Sequence, residues 1–275
     1  MNKLMNISDA VKLIRDGDTL GVGGNVLHRA PMALIRETVR QGRRDLKVVK
    51  TAGAMDVDML CFGGCVKSVD AGFISYETEF SLADHYRRAV QGGTVKANEH
   101  ACYTVMSALR AAVYGIPFMP VKGLMVSDLI DANDYFTRMA DPFSGEMITV
   151  VKAIAPDVTI IHVQEADIRG NSLIYGPKFD DVLLAKASKK IIVSAEKIVD
   201  TSKFQADTKL HTSSQKVDIP GFMVSAVVHA PGGAAPCSCQ GYYDIDRDHI
   251  KAFKAMKDAQ ELSSYLDAQK IKDYR

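Results

Sequence analysis

The sequence predicts an α/β fold with an open, largely parallel sheet flanked by helices. Short apolar runs of strand length alternate along the chain with segments whose apolar residues recur at helical spacing, and glycines separate the two kinds of segment. This alternation is typical of βαβ units. With 275 residues, of which 47% are hydrophobic, the chain can bury a sizeable core. We predict a single domain spanning residues 1–275.

The alternation is most regular in the first half of the chain. A first short helix is expected to have Ser8 as its N-cap and Gly17 as its C-cap glycine. Apolar runs then predict strands over residues 19–22, 46–51, 66–74 and 94–97. Helical periodicity predicts helices over residues 31–39, 56–62, 75–91 and 103–114.

The second half is less regular. Strands are predicted over residues 158–163, 190–194 and 222–229, with a helix over residues 180–187. Residues 117–145 carry Pro and Asp without clear periodicity and are expected to form an irregular surface excursion of the single domain. A Gly- and Pro-rich loop is predicted over residues 231–241, and a C-terminal helical region over residues 246–271.

One glycine turn stands out, in the stretch DGDTLGVGGNVLHRAP from Asp16 to Pro31. Gly23 and Gly24 follow a buried strand and allow a positive φ or a close approach by backbone or ligand. Ligands of open α/β sheets bind beyond the carboxyl ends of the strands, where this turn is expected. A structural interpretation is equally open, since paired glycines also permit a tight strand-to-helix connection. The dinucleotide pattern is incomplete because Val26 occupies the next glycine position.

Composition excludes several classes of function. The chain has 34 basic and 33 acidic residues without a basic cluster, so nucleic acid is not an expected partner. No apolar run is long enough to span a membrane and no signal segment is present, which favours the cytoplasm. The five cysteines suit reduced thiols, and the pairs Cys61/Cys65 and Cys237/Cys239 lack the spacing of metal ligands, so no metal site is predicted.

Two charged residues are candidates for a site. Arg29, in the glycine turn beside His28, has the planar fork that binds a phosphate or carboxylate, but an ion pair within the fold or with a partner chain is an equal alternative. Glu99 lies between a predicted strand and helix, where it is either a general acid/base or a carboxylate that stabilises the helix N-terminus. No G-x-S-x-G or H-E-x-x-H motif supports a common hydrolase mechanism.

Five stretches together resemble one known family. The glycine turn resembles the A-subunit signature of class I CoA-transferases, and the other four resemble blocks of its glutaconate CoA-transferase branch. These are YGIPFMPV (114–121), DPFSGE (141–146), PDVTIIHVQEADIRGN (156–171) and PGFMVSAVVHAPGGAAPCSCQGYYDID (220–246). Gly21 and Asn25 depart from the signature, whereas Arg29 before the proline is similar to the glutaconate-like branch.

The resemblance implies an enzyme built from two kinds of chain. In this family the nucleophilic glutamate lies in a B-subunit motif that is absent here. The substrate would be a coenzyme A thioester, with no tightly bound cofactor, and the assembly an α2β2 or larger hetero-oligomer with a B subunit. The resemblance places two groups of substrate-binding residues at the A/B interface: Gly23, Gly24, Asn25 and Arg29, and Ser75, Tyr76 and Glu77.

Other functions are implied by the same plan. The stretches NEHACY and RAPMALIRE resemble a glutaconyl-CoA-type decarboxylase branch, in which cysteine replaces the B-chain glutamate. A ring-opening acyl-CoA hydrolase branch is thought to use a carboxylate in the region of Glu99, which makes Glu99 the catalytic candidate of this chain. A non-catalytic partner that only shapes the pocket is a further alternative.

Overall fold

Eleven strands form two sheets in the described part of the chain. The computed structural model describes residues 1–132, 134–204 and 217–273. The strands are β1 (Thr19–Val22), β2 (Leu46–Gly53), β3 (Val66–Ile74), β4 (Lys96–Glu99), β5 (Phe118–Val121), β6 (Phe136–Ala140), β7 (Met147–Lys152), β8 (Val158–Asp167), β9 (Ser172–Leu173), β10 (Lys190–Val199) and β11 (Ala226–His229).

The main sheet is open and mostly parallel, as predicted. Its strands lie in the order β11-β10-β8-β1-β2-β3-β4, and every neighbouring pair along this path is parallel. Only the two-residue β9 is antiparallel, against β8. Every residue of β8 is buried, as expected for a central strand of a parallel sheet that is covered on both faces.

Helices cover both faces of the main sheet. They are α1 (Ile7–Val11), α2 (Met32–Arg40), α3 (Met55–Phe62), α4 (Glu77–Phe80), α5 (Asp84–Gln91), α6 (Cys102–Tyr114), α7 (Leu129–Ala132), α8 (Asp181–Ala187), α9 (Arg247–Ala255) and α10 (Ala259–Asp273). Apolar residues of α1, α2, α3, α9 and α10 share a core with Leu20 and Val48. Those of α6 and α8 share a second core with Val49, on the opposite face.

Residues 117–145 are not irregular, contrary to the expectation from sequence. They contain β5, α7 and β6, and β7 pairs with both strands in an antiparallel sheet of order β5-β7-β6. Val121, Phe136 and Val151 turn inward from this small sheet and join the core formed with α6. Burial of these side chains against a neighbouring helix supplies the stability that an isolated hairpin lacks.

Two other predictions about helices are wrong. The N-cap of α1 is Asn6, whose side chain accepts a hydrogen bond from the backbone N–H of Asp9, and α1 ends at Val11 rather than near Gly17. The helix predicted over 75–91 is divided into α4 and α5, because the backbone N–H of Tyr76 bonds to the carbonyl of Ser81 and turns the chain back.

The C-terminal helical region is present as α9 and α10. Two buried ion pairs fasten α10 to α2: Asp273 accepts from both Arg36 and Arg40, at 2.5 and 2.6 Å. The last predicted strand is shorter than expected, since residues 221–223 form a 3₁₀ turn in which Phe222 is 86% exposed. Among the described residues, none of the helices combines the length and apolarity that a membrane crossing requires.

Candidate active site

The central strand β1 marks the point where the order of the sheet reverses. β2, β3 and β4 follow on one side of β1, while β8, β10 and β11 lie on the other. Connections that leave neighbouring strands in opposite directions open a crevice at their carboxyl ends, where α/β proteins bind ligands. The glycine turn, residues 23–29, leaves β1 at this crevice.

The glycine turn is a closed loop with a fixed shape. Asn25 and His28 exchange two backbone hydrogen bonds, of 2.9 and 2.8 Å. Gly24 has a φ of +75°, and a Cβ atom there would lie 2.5 Å from the carbonyl oxygen of Arg29. A Cβ at Gly23 would lie 2.3 Å from the carboxylate of Asp181. Both glycines are therefore required by the protein's own packing, which is the structural interpretation that the sequence had left open.

A buried lysine holds the turn from below. The Lys50 ammonium group, in β2, donates to the carbonyl oxygens of Gly23 and, at 2.9 Å, of Gly24. Its charge is balanced by Asp56, whose Oδ2 lies 3.0 Å away without hydrogen-bond alignment. Both side chains are fully buried. The turn is therefore fixed to the second strand of the sheet by charge-assisted bonds.

Arg29 forms an ion pair within the fold. Its guanidinium group is 3% exposed and donates to Asp181 at 2.5 Å and to the carbonyl oxygen of His162 at 2.9 Å. The other oxygen of Asp181 accepts the backbone N–H of Gly24 at 2.8 Å. Arg29 thus ties the turn to β8 and α8, while its outer side lies 5.7 Å from the Phe179 ring centroid and borders the crevice.

The crevice contains a cavity of about 340 Å³. Its described lining includes no Asp or Glu, and consists of His28, Arg29, Gln164, Tyr175, Pro177, Phe179, Ser238 and Gln240. His28 Nδ1 lies 2.7 Å from the Ser238 hydroxyl, which orients the imidazole ring at the rim. Such a largely apolar cavity with a few fixed polar groups is typical of a small-molecule site.

A hydrogen-bonded network supports the floor of this cavity. His162 Nε2 lies 2.8 Å from Glu196, and its Nδ1 lies 2.9 Å from the Ser194 hydroxyl. The Tyr243 hydroxyl also donates to Glu196. Burial raises the pKa of Glu196, but hydrogen bonds from His162, Tyr243 and the Gly232 N–H outweigh it and bring the pKa below its ordinary value.

Cys239 adds a third potential metal-ligating group to this network. Its sulfur and ligand atoms of His162 and Glu196 lie within 4.8 Å of one another. Burial raises the pKa of the Cys239 thiol to about 12, so the thiol is protonated at neutral pH. Both nitrogens of His162 already have hydrogen-bond partners. The hydrogen bonds of the network join β8 and β10 to the loop after β11.

The segment Ser75–Glu77 lies at the same edge as the glycine turn. The Val26 N–H bonds to Ala52 at the end of β2, and the Ser75 N–H bonds to the next residue, Gly53. Tyr76 is buried and its hydroxyl donates to Asp58 at 3.0 Å, so its side chain faces the core. Glu77 is exposed and has a φ of +60°.

Glu99 lies farther from the turn. It ends β4, the outermost strand, and pairs with Ala71, three residues before the end of β3. Three strand spacings separate β4 from β1, which places Glu99 about 14 Å to the side of the turn. Glu99 is exposed. The structure thus brings the glycine turn and the segment Ser75–Glu77 together and leaves Glu99 at the edge of the sheet.

Comparison with known proteins identifies the family. Residues 4–230 match the family model of coenzyme A transferase. The chain belongs to the coenzyme A transferase family. The resemblance drawn from the glycine turn and the four later stretches is confirmed, and the relatives include A subunits of this family.

The names of this chain's relatives within the family denote several activities. The A subunit of glutaconate CoA-transferase from Acidaminococcus fermentans is 32% identical over 95% of this chain and 85% of its own length. The crystal structure of that transferase has a TM-score of 0.83 and covers 97% of this chain and 93% of that one. A crystal structure of the decarboxylase AibA/AibB has a TM-score of 0.85 and 32% identity, and covers 97% of this chain and all of that one.

Two further relatives extend this range. The cholesterol ring-cleaving hydrolase IpdA subunit of Rhodococcus jostii is 31% identical over 85% of this chain and 80% of its own length. An uncharacterized protein of Archaeoglobus fulgidus is 35% identical over 94% of this chain, which spans only 57% of that relative. The family is therefore shared by chains whose names denote transfer, decarboxylation and hydrolysis.

The sequence did not reveal which residues support the candidate site. Lys50, Asp56, Asp181, His162 and Glu196 were not among the predicted site residues. One signal was available: each is a titratable residue within or beside an apolar stretch, where burial requires a partner. The partner of each of these residues could not be identified without knowing the order of the strands in the sheet.

Proposed function

We propose that this chain is the A subunit of a two-chain enzyme that transfers CoA between an acyl-CoA and a free carboxylic acid, most favourably a dicarboxylic acid. The observation that supports this proposal most directly concerns the cavity beside the glycine turn, which has fixed polar donors but no carboxylate among its described lining residues. A carboxylate is one of the side chains that form covalent intermediates, and exchange through an acyl anhydride uses a carboxylate as the nucleophile. In our proposal a B subunit brings that glutamate to the cavity, in an α2β2 or larger assembly.

The proposed reaction proceeds in balanced exchanges. The partner's carboxylate attacks the acyl-CoA carbonyl and displaces the CoA thiolate, which leaves an acyl–enzyme anhydride. The thiolate then attacks the carbonyl of the enzyme's own glutamyl group and releases the first acid. An incoming carboxylate reverses both exchanges, so one thioester is consumed for each that is made. Dividing the transfer in this way replaces one difficult step by easier ones.

This chain would contribute a preformed wall. Gly23, Gly24 and Asn25 would shape the crevice as a loop held by Lys50. Their backbone N–H groups already donate within the fold, to Ile160, Asp181 and His28, so the donors for a developing oxyanion would come from other groups at the interface. Arg29 borders the cavity with its outer side while Asp181 fixes its position. Ser75, Tyr76 and Glu77 would extend the wall toward the partner, with Glu77 as their exposed member.

The second candidate is decarboxylation of an acyl-CoA by the same pair of chains. It is favoured by the AibA/AibB structure, whose chain is covered completely with a TM-score of 0.85. Ring-opening hydrolysis is a further alternative through the Rhodococcus relative, and it is the one in which Glu99 would act directly. A non-catalytic role would leave this chain to shape the partner's pocket.

The test is to purify this chain with the partner encoded beside it and to measure products by mass. Glutaconyl-CoA and acetate are suitable first substrates. Transfer predicts acetyl-CoA and free glutaconate in equal amounts, whereas decarboxylation releases CO2 with the thioester retained, and hydrolysis releases free CoA. This chain alone should exchange no CoA. Rapid transfer by this chain alone would overturn the two-chain proposal, and release of CO2 would select the decarboxylase.

A further inference from the structure

Four lysines surround a cavity at the edge of the main sheet opposite the candidate active site. Lys47, Lys67 and Lys96 lie at the beginnings of β2, β3 and β4, and Lys152 ends β7 of the small sheet. We call this cavity of about 310 Å³ the lysine pocket. Lys47 is aligned with Thr19, four residues before Gly23, which places the lysine pocket about 13 Å from the glycine turn along the strands.

The lysines are brought together by strand register. Lys47 is aligned with Ser68, and Ser68 with Lys96, so that two lysines on the same face flank a hydroxyl group. Their Cα atoms are two strand spacings, about 10 Å, apart. Lys152 reaches the same cavity from the small sheet. Residues distant in sequence thus supply four positive charges to one space.

These charges are not neutralised by the described part of the protein. None of the four lysines forms an ion pair among the described residues, whose lysine ion pairs involve other positions. The carboxylate of Asp157 feels the charge of Lys47, but it is already bonded to Lys189 at 2.8 Å. Asp134 is the sole acidic residue in the described lining. Like charges held close together are unfavourable without a counter-charge.

A buried amide adds a specific feature to the lysine pocket. Asn98 is 6% exposed, lines the cavity, and donates from Nδ2 to Asp70 at 3.0 Å. Its Oδ1 is buried and has no hydrogen-bond partner. Turning the amide over would direct this oxygen at the Asp70 carboxylate, so the observed orientation is the favourable one. An occupant whose O–H or N–H donor reached this buried oxygen would satisfy it.

We propose that the lysine pocket binds a small phosphorylated molecule that carries hydroxyl groups. The lysines contact the phosphate groups as point charges, and Asn98 accepts from a hydroxyl group. The cavity volume of about 310 Å³ accommodates a phosphorylated sugar but excludes a macromolecule from its interior. The proposal is independent of the reaction at the glycine turn, because it uses none of the same residues.

Isothermal titration of the full-length chain at low ionic strength provides the test. The probes are fructose 1,6-bisphosphate, which has hydroxyl groups, and inorganic pyrophosphate, which has none. We expect saturable binding of both, weakened about tenfold or more by Lys47→Ala/Lys96→Ala. The matched control is Lys251→Ala/Lys257→Ala, which removes two exposed lysines of the C-terminal helical region and should leave both affinities unchanged.

Asn98→Ala separates a specific site from simple attraction between charges. It should weaken binding of the sugar bisphosphate while pyrophosphate binding is retained. Citrate tests whether a polycarboxylate binds as well as a phosphate, and tighter binding of citrate than of either phosphate probe would contradict the proposal. Failure of both phosphate probes to saturate below about 10 mM would also overturn it. An equal loss of affinity in the control variant would do the same.

Discussion

Replacing Lys50 by methionine tests how the glycine turn is held. Methionine preserves most of the apolar stem but removes the ammonium group from Gly23, Gly24 and Asp56. Removing one partner of a buried ion pair costs about 3–5 kcal/mol, and an unsatisfied buried carbonyl costs about 1–3 kcal/mol. These effects overlap, so we expect the free energy of unfolding to fall by about 4–6 kcal/mol.

Urea denaturation followed by far-UV circular dichroism measures this loss. The matched control is Lys47→Met, in the same strand but exposed, which should change the free energy of unfolding by less than about 0.5 kcal/mol. Adding Asp56→Asn to Lys50→Met should recover part of the loss, because it removes the uncompensated charge and keeps the acceptor for the Ala54 and Val57 N–H groups. A loss below about 1 kcal/mol for Lys50→Met would refute the reasoning.

Two further predictions concern carboxylates. Burial raises the pKa of Asp58 from 3.8 to about 6, so its stabilising contribution is complete below pH 3.8 and is lost as pH rises through 6. The free energy of unfolding of Asp58→Asn, measured by urea titration, should therefore rise relative to that of the wild type by about 3 kcal/mol between pH 4 and pH 8. The control is Asp267→Asn, at an exposed position, whose difference from the wild type should not change with pH. A difference for Asp58→Asn that is also independent of pH would contradict this prediction. Glu99→Gln should lower turnover of the two-chain enzyme about 100-fold without changing assembly if Glu99 is an acid/base; turnover equal to that of the control Glu146→Gln would leave it a structural carboxylate.

Local patterns predicted two strands of the main sheet with the bounds that the structure shows. Residues 66–74 form β3 with the predicted bounds, and residues 19–22 form β1. The small antiparallel sheet was missed because β5 contains Pro120 and β6 has a largely exposed face, so neither shows a clear alternation. Its inward residues became recognisable as core only through their contact with α6.

The supports of the site could not be predicted in the same way. Lys50 lies in a strand where a lysine normally indicates a solvent-exposed position. Its partners are carbonyl oxygens 26 and 27 residues earlier, which reach it only because β1 and β2 pair in parallel. The sequence left two roles open for Arg29, a ligand contact or an ion pair. The ion pair could not be predicted because its partner, Asp181, lies in a helix 152 positions later. Register and sheet order decide both contacts.

The residues that hold the glycine turn and the helix after it lie far along the sequence, so they are synthesised long after the turn itself. His28 contacts Ser238, 210 residues later, and α2, which follows the turn, is fastened through Arg36 to Asp273, 237 residues later. The turn therefore leaves the ribosome well before the residues that complete it, and contacts of such long range form late in folding. A partner chain that recognised the finished turn would therefore have to wait until the residues up to Asp273 had been synthesised and folded.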